Sequence, residues 1–247
     1  MTIGQGKKNI CLVGKGVVFD SGGYDLKATM TGMKGDKAGG ALVVSVARYF
    51  ACHALPGDSK LVILVPLVEN LIGQSAYKSG DVFTSYSGLT VEIANTDAEG
   101  RMILADALSF ACAKYKPILL LDFATLTGWA SRLHCDTSFV FYTQNNELAS
   151  RIVATGDVAG ERSIRMPNWP EYMAHTKSKI ADLKNEDYTC GAGSGFMATM
   201  FLANFIPEKF RNVWAHFDMT HTDLVNGTIA CNGLQTAIEL VASKRVL

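Results

Sequence analysis

The feature that most constrains the fold of this chain is a series of short, continuous apolar runs that alternate with segments of helical length. The run PILLLDFA at 117–124 lacks the polar residue at every second position that a strand with one face in water would carry. Such runs are typical of strands buried on both faces of a parallel sheet, whose connections cross over through helices. We therefore predict an α/β fold, a three-layer α/β/α sandwich with a mixed, mostly parallel central sheet.

The individual elements follow this alternation along the chain. Strands are predicted in the apolar runs 9–14, 60–68, 117–124 and 212–219. A turn or hairpin is predicted at 85–94, around Ser87-Gly88. Helices are predicted in the segments 39–54, 102–115, about 145–155, 196–206 and 233–246. The 247 residues contain no repeat, low-complexity tract or linker, so we expect residues 1–247 to form a single domain.

The composition argues against several classes of partner. Lysine plus arginine (23) balances aspartate plus glutamate (23), so no net charge attracts the chain to nucleic acid or to an anionic membrane. The six cysteines are scattered without a CxxC pair, which is typical of reduced thiols. The N-terminus lacks the apolar region of a signal peptide, and the most apolar segment, 116–130, is interrupted by Asp122. We therefore expect a soluble, cytoplasmic protein with no nucleic-acid or membrane partner.

Charged residues are concentrated in three segments that follow predicted strands, 14–37, 95–101 and 122–129. Because ligands gather at the carboxyl ends of strands in such sheets, we expect these segments to converge at one sheet edge. Four carboxylates in one cleft would repel one another and could not all stay ionised without cations; they are Asp20, Asp36, Asp97 and Glu99. All-oxygen ligands favour Mg²⁺, Mn²⁺ or Zn²⁺, and two such ions would polarise a carbonyl and lower the pKa of a bridging water.

The densest of these segments, NTDAEGR at 95–101, has two interpretations. It could open the helix that follows, with Thr96 or Asp97 as the N-cap and Glu99 facing the helix dipole. Alternatively, Asp97 and Glu99 are two ligands that one turn delivers to a metal centre.

Other catalytic motifs are not found in the sequence. There is no HExxH zinc motif, and Lys15 is not followed by the Ser or Thr of a phosphate-binding loop. Ser194, in GAGSGF at 191–196, lacks the GxSxG frame of a nucleophile elbow. His216 and His221 are five residues apart, which does not place them on one helical face, and we interpret both as structural.

Five motifs, in order along the chain, together resemble the leucyl aminopeptidase family of dinuclear metallo-exopeptidases, over about residues 10 to 245. They are VGKGVVFDSGGYDLK (13–27), MKGD (33–36), NTDAEGR (95–101), ATLTG (124–128) and WAHFD (214–218). The resemblance implies a cytosol-type aminopeptidase that hydrolyses the N-terminal residue, leucine and other amino acids, from peptides through a water bridging two metals. It also implies two divalent ions, Mn²⁺ or Zn²⁺ with Mg²⁺ or Co²⁺ as alternatives, and peptide substrates with a free N-terminus.

The resemblance assigns five metal ligands. Asp20, Asp97 and Glu99 would hold the more tightly bound ion or bridge the two ions. Lys15, Asp20, Asp36 and Glu99 would surround the exchangeable ion. Lys15 could coordinate only as the neutral amine, which the charge of the two ions would enforce by lowering its pKa.

The resemblance also assigns catalytic and substrate-binding residues. Lys27 would stay cationic and stabilise the developing gem-diolate oxygen. Arg101 would anchor a bicarbonate that acts as general base toward the bridging water. Met33, Thr125 and Gly128 would line the pocket for the first side chain of the substrate.

Several features of the chain depart from the family pattern. Family members carry an N-terminal domain and further catalytic-domain residues before the VGKG strand and assemble as hexamers, so we expect a shortened catalytic domain that forms a homo-oligomer. The segment 27–36 is shorter than usual, and Lys37 stands where Met is common. Trp129 and the run 219–223 replace smaller or apolar residues, which raises the hypothesis of a preference other than leucine. The alternative for Trp129 is a core or subunit contact.

Two other functions stay open at this point. A catalytically silent relative with a structural or assembly role would fit the altered loop and the shortened start. A phosphate- or nucleotide-binding module could use the glycine-rich segment 14–37, although its negative charge disfavours an anionic ligand.

Overall fold

A computed structural model of the chain describes residues 1–134, 138–189, 194–221, 224–225, 228–229 and 232–243. The strands within this part are β1 (Thr2–Ile3), β2 (Lys8–Gly14), β3 (Gly16–Asp20), β4 (Ser59–Leu64), β5 (Leu67–Asn70), β6 (Val82–Thr84), β7 (Thr90–Glu92), β8 (Leu119–Ala124), β9 (Phe139–Tyr142), β10 (Ser163–Met166), β11 (Leu183–Lys184), β12 (Trp214–Asp218), β13 (Leu224–Val225) and β14 (Thr228–Ile229). The helices are α1 (Ala38–Cys52), α2 (Glu99–Tyr115), α3 (Gly128–His134), α4 (Asn146–Ala159), α5 (Ser194–Ala203), α6 (Glu208–Arg211) and α7 (Leu234–Ala242), with 3₁₀ turns at Met33–Gly35 and Pro170–Thr176.

A seven-stranded sheet in the order β1-β4-β2-β8-β12-β9-β10 forms the centre of the fold. Strands β4, β2, β8 and β12 are parallel to one another. Strand β1 is antiparallel to β4, and β9 is antiparallel to β12 and parallel to β10. The predicted mixed, mostly parallel sheet is therefore confirmed.

Helices cover both faces of this sheet. Alternate residues of β2 point to opposite faces, so Ile10 and Leu12 pack with α1, α4 and α7, whereas Cys11 and Val13 pack with α2 and α5. Helix α1 buries a stripe that includes Leu42, Val46 and Phe50, at the spacing of one helical face. The three-layer α/β/α sandwich is thus confirmed.

The structure differs from the predicted topology in three places. The run 60–68 is not one strand: Pro66 lacks a backbone N–H, and the chain leaves the central sheet there to form β5. The segment 14–37 contains a strand that the sequence does not predict, β3, which pairs with β5 in a separate two-stranded sheet. The hairpin at 85–94 is confirmed, with Gly88 at φ 89°, but it belongs to a third sheet, β11-β7-β6.

The predicted helices are found with shifted ends. Helix α2 begins three residues earlier than predicted, at Glu99, and α4 extends to Ala159, where Gly160 ends it in the left-handed conformation. The last residues of the predicted helix 233–246 lie outside the described part of the chain. Within that described part, none of the helices is both long enough and apolar enough for a membrane crossing.

The polar residue that interrupts the most apolar run has a structural role. Asp122 is fully buried in β8, where it accepts hydrogen bonds from Trp214 Nε1 at 2.7 Å and faces His216 Nδ1 at 2.6 Å. Burial alone would lower the pKa of His216, but the charge of Asp122 outweighs it and the pKa is raised. The structural interpretation of His216 therefore fits the geometry.

Close backbone contacts place the start of α1 directly on the sheet. A Cβ on Gly39 would lie 2.0 Å from the Phe123 carbonyl oxygen, and one on Gly14 would lie 2.4 Å from the Gly39 oxygen. Gly40 N donates to Lys15 O at 2.8 Å, and Lys15 N donates to Phe123 O at 2.9 Å. These contacts fix the backbone of Lys15 at the end of β2.

We expect Gly39→Ala to lower the free energy of unfolding by about 2 kcal/mol, since the added methyl group must push α1 away from β8. Urea denaturation would measure this change. Gly73→Ala is the matched control, because a Cβ there meets nothing within 4 Å. Equal midpoints for the two variants would contradict the close contact.

Candidate metal centre

A cleft of about 570 Å³ opens at the carboxyl ends of β2 and β8. Nine of the ten predicted site residues line it: Lys15, Asp20, Lys27, Met33, Asp36, Asp97, Arg101, Thr125 and Gly128. The tenth, Glu99, is buried and contacts Lys15, which lines the cleft. Glu99 also lines a second, apolar cavity of about 320 Å³. The predicted residues therefore come together.

The elements that deliver these side chains differ from the prediction of a single sheet edge. Lys15 and Thr125 leave the central sheet after β2 and β8. Asp20 instead ends β3 in the two-stranded sheet, and Asp97 follows β7 in the three-stranded sheet. The predicted segments therefore do converge, and 14–37 does follow the central strand β2, but the prediction that 95–101 also follows a strand of the central sheet is wrong, because β7 belongs to a separate sheet.

Three carboxylates form the centre of the cluster. One oxygen from each of Asp20, Asp36 and Glu99 lies within 4.8 Å of the others, and all three residues are buried. Asp36 Oδ2 and Glu99 Oε2 are buried without a hydrogen-bond partner in the described part of the chain. Buried carboxylate oxygens without donors are strongly unfavourable unless a cation meets them, so the arrangement fits a divalent metal site.

Two lysines offset part of the negative charge of these carboxylates and of Asp97. Lys15 Nζ lies 2.9 Å from Asp36 Oδ1 and 2.7 Å from Glu99 Oε1, and it donates to the Thr125 carbonyl at 2.9 Å. Lys27 Nζ lies 2.8 Å from Asp20 Oδ2 and also bonds Asp97 Oδ1. Each ammonium group therefore joins two carboxylates from different segments.

The electrostatic environment divides the acids into two groups. Burial raises the pKa of Asp36 and of Glu99, and Lys15 offsets only part of that effect. Burial also raises the pKa of Asp97, to about 6, against the opposing hydrogen bond from Lys27. For Asp20, the hydrogen bond and charge of Lys27 outweigh burial, and its pKa is lowered. Burial alone would lower the pKa of Lys15, but Asp36 and Glu99 raise it, which favours the ammonium form.

The structure shows how α2 begins and where the side chains of NTDAEGR point. No side chain caps α2: the residue before it is Ala98, and Thr96 Oγ1 donates to Gly22 O at 2.7 Å instead. Asp97 bonds Lys27, so the prediction of Thr96 or Asp97 as N-cap is wrong. Glu99 does lie in the first turn of α2, as predicted, but its carboxylate faces Lys15.

Arg101 lies in the cleft wall and contacts residues that sequence reasoning missed. Its Nη2 is 3.1 Å from Glu186 Oε2, and Nη1 donates to the Asn185 carbonyl. The only sequence signal for these partners is the charged run KNED at 184–187, which no motif singled out.

Asp218 is a second residue whose role the motifs did not reveal. It is buried at the end of β12, where it accepts from Leu126 N at 3.2 Å and from Thr127 N at 3.1 Å. Its carboxylate also accepts from the hydroxyls of Thr127 at 2.6 Å and Thr220 at 2.8 Å. Asp218 therefore holds two neighbouring walls of the cleft in place.

The departures from the family pattern have different locations. Lys37 Nζ donates to the carbonyls of Val18, at 3.3 Å, and Lys34, away from the carboxylate cluster. The ring centroids of Trp129 and Phe196 lie 5.2 Å apart, and Trp129 does not line the cleft. Both observations favour the interpretation of Trp129 as a core contact. Thr220 and His221 do line the cleft, whereas Thr222 and Asp223 lie outside the described residues.

Three of the six cysteines, and the last part of the GAGSGF segment, lie within the described residues. Cys11 and Cys112 are buried free thiols, and Cys52 is an exposed one. Cys135, Cys190 and Cys231 lie outside the described residues, as does 191–193. Ser194 begins α5 and lines the cleft.

The fold and the cluster define the class, a three-layer α/β/α protein with a candidate divalent-metal site of buried carboxylates. The model of the cytosol aminopeptidase family, catalytic domain, matches residues 2–238. The chain belongs to the cytosol aminopeptidase family, which confirms the family predicted from the five motifs.

Individual relatives agree with this assignment. The chain is 44% identical to a probable cytosol aminopeptidase of Chlorobaculum tepidum over 219 residues, 87% of this chain and 42% of that protein. It is 43% identical to one of Syntrophotalea carbinolica over 229 residues, 91% of this chain and 44% of that protein. The chain thus spans less than half the length of these relatives.

Solved structures show the same likeness. A leucyl aminopeptidase from Leishmania major, in complex with actinonin, superposes with a TM-score of 0.90 at 30% identity, covering 97% of this chain and 47% of that one. The bottromycin maturation enzyme BotP superposes with a TM-score of 0.89 at 31% identity, covering 98% of this chain and 53% of that one.

We expect Mn²⁺ to bind at least about fourfold more weakly at pH 5.5 than at pH 7.5, as measured by isothermal titration calorimetry. As a predicted ligand, Asp97 would bind a proton in place of the metal at the lower pH, since its pKa of about 6 makes its ionised fraction fall about fourfold over this interval. Displacing the proton of Lys15 acts in the same direction.

The control for this titration is Asp97→Asn, which removes this titrating carboxylate; it should weaken binding and reduce the pH dependence by the share of Asp97, while the share of Lys15 remains. Equal Mn²⁺ affinity of the unsubstituted chain at the two pH values would contradict a role for Asp97 in the metal site.

Proposed function

We propose that the chain is the catalytic domain of a metal-dependent aminopeptidase that hydrolyses the N-terminal residue, leucine and other amino acids, from peptides. The observation that carries this proposal is the cluster of three buried carboxylates within 4.8 Å of one another, neutralised by two lysines at the base of a cleft. The names of the relatives, cytosol and leucyl aminopeptidases, support the same reaction.

The proposed metal ligands are Lys15, Asp20, Asp36, Asp97 and Glu99. The mixed carboxylate and amine donors suit Mn²⁺ or Zn²⁺, with Mg²⁺ or Co²⁺ as alternatives. Two divalent ions, when bound, would polarise the scissile carbonyl and lower the pKa of a reacting water. The unpartnered oxygens of Asp36 and Glu99 support this assignment, because they belong to two of the three clustered carboxylates and have no protein donor in the described residues.

Lys27 is the proposed electrostatic catalyst. Burial tends to lower its pKa, but its hydrogen bonds to Asp20 and Asp97 raise it, so Lys27 keeps its charge across the neutral range. Its ammonium group lies in the cleft beside the proposed metal ligands, where negative charge would develop on the carbonyl oxygen. A fixed cation there stabilises that charge without reorganising solvent.

The cleft walls are proposed to orient the substrate. Met33, Thr125 and Gly128 line the cleft near the carboxylates and would contact the first side chain of the peptide. The free α-amine of the peptide would bind one of the metal ions, which would limit the reaction to the N-terminal residue. Asp218 would keep the 125–128 wall rigid through the backbone N–H groups of Leu126 and Thr127.

We also propose that residues 1–247 act as one catalytic domain within a cytoplasmic homo-oligomer, hexameric by the family resemblance. Exposed apolar side chains on β5 and β6 support assembly, since Leu67 is 67% exposed and Phe83 is 45% exposed. The cytosolic names of the relatives support the location.

We expect the Mn²⁺-loaded chain to hydrolyse a leucine chromogenic amide, and a chelator to abolish this activity. Asp97→Ala should lower kcat/KM at least about 10²-fold through loss of a metal ligand, and Lys27→Ala should lower kcat about 10²- to 10³-fold. Steady-state kinetics would measure both effects.

Glu171→Ala is the control for these kinetics, because it removes an exposed carboxylate outside the cleft and should leave the rates unchanged. A chain that binds Mn²⁺ in calorimetry but does not hydrolyse the amide would instead support the catalytically silent relative.

A further inference from the structure

Arg101 is a cation buried in the wall of the cleft. Only 4% of its surface is exposed, and it extends from the first turn of α2 toward residues 185–186. A buried guanidinium is strongly unfavourable unless an anion accompanies it. The partner that supplies this negative charge therefore decides whether the site can accept an external anion.

That partner is a carboxylate of the chain itself. Glu186 Oε2 lies 3.1 Å from Arg101 Nη2, and both residues line the cleft that holds Lys27 and Asp97. The Glu186 side chain is only 12% exposed. Arg101 Nη1 donates a hydrogen bond to the Asn185 carbonyl, and Nε is buried without a hydrogen-bond partner in the described residues.

The residues on either side hold Glu186 in this position. Asn185 is fully buried; its Oδ1 accepts from Ala94 N at 2.8 Å, and its Nδ2 donates to Asn95 O at 2.7 Å. Asp187 faces His175 Nδ1 at 2.8 Å. Its own backbone N–H donates to Glu186 Oε1 at 2.9 Å, which orients the carboxylate toward Arg101.

We propose that Glu186 is the built-in anion of the Arg101 site and occupies the place where a small free carboxylate, such as bicarbonate or formate, would otherwise bind. This inference rests on the proposed aminopeptidase function and deepens it. Glu186 is then a positioning residue on the cleft wall, and hydrolysis does not depend on added bicarbonate. It also replaces the expectation that Arg101 anchors an external bicarbonate.

The test removes the carboxylate and asks whether a free anion takes its place. Glu186→Ala leaves Arg101 without its anion and leaves space beside it, so we expect bicarbonate or formate to raise the Tm by about 3 °C or more at ten times the anion Kd. The unsubstituted chain should show no such shift. Glu186→Gln fills the same space with a neutral amide and should not respond, nor should the double variant Arg101→Ala/Glu186→Ala.

Kinetics in bicarbonate-free buffer with Mn²⁺ give the second measurement. We expect Glu186→Ala to lose at least about tenfold in kcat, since the cleft wall around Arg101 is misplaced, and to regain most of it on addition of bicarbonate. The unsubstituted chain should be unaffected by bicarbonate, and Glu186→Gln should be slow with or without it.

Either of two results would overturn the inference: a bicarbonate response of the unsubstituted chain, or a Glu186→Ala variant whose Tm does not respond to either anion. The Tm measurement does not depend on turnover. A chain without peptidase activity would therefore refute the proposed function while leaving the assignment of Glu186 to be decided by the Tm shifts.

Discussion

Charge compensation between buried carboxylates and two lysines is the interaction on which the rest of the site depends. Asp20, Asp36 and Glu99 place oxygens within 4.8 Å of one another, a distance at which ionised carboxylates repel strongly in a buried environment. Lys15 joins Asp36 to Glu99, and Lys27 joins Asp20 to Asp97. These contacts link segments up to 84 residues apart, from Lys15 to Glu99, so the cluster also ties the loops around the cleft together.

The scaffold around the cluster keeps these charged groups in place. The glycine contacts between α1 and the sheet fix the backbone of Lys15. Asn70, at the end of β5, donates to Asp20 Oδ1 at 2.8 Å and to the Thr96 carbonyl at 3.0 Å, which joins the two small sheets beside the cleft. Asp218 then holds the opposite wall. Each charged group of the site is thus held by hydrogen bonds or backbone contacts with its neighbours, as a preorganised site requires.

The sequence predicted the parts of the fold that have strong local patterns. Buried parallel strands such as 117–124 and the helix 39–54 have continuous apolar runs or a helical stripe, so they were recognisable. The sequence does not predict strands β9 and β10, because four-residue strands have little periodicity and because the pairing of β9 with β12 and of β10 with β9 depends on distant residues. The ten site residues can be named from their motifs, but the small sheets that bring Asp20 and Asp97 to the cleft have no such pattern. Glu186 and Asp218 acquire roles only through contacts across 85 and 91 residues, which no local pattern contains.

The central claim is that the lysine-neutralised carboxylates form a metal centre, and anomalous diffraction from crystals grown with Mn²⁺ tests it most directly. We predict anomalous density for manganese in contact with Asp20, Asp36 and Glu99, with Lys15 Nζ displaced from its ion pairs with Asp36 and Glu99. The contradicting result is an empty cluster in which Lys15 still joins these two carboxylates, at a Mn²⁺ concentration that fills other sites in the same crystal.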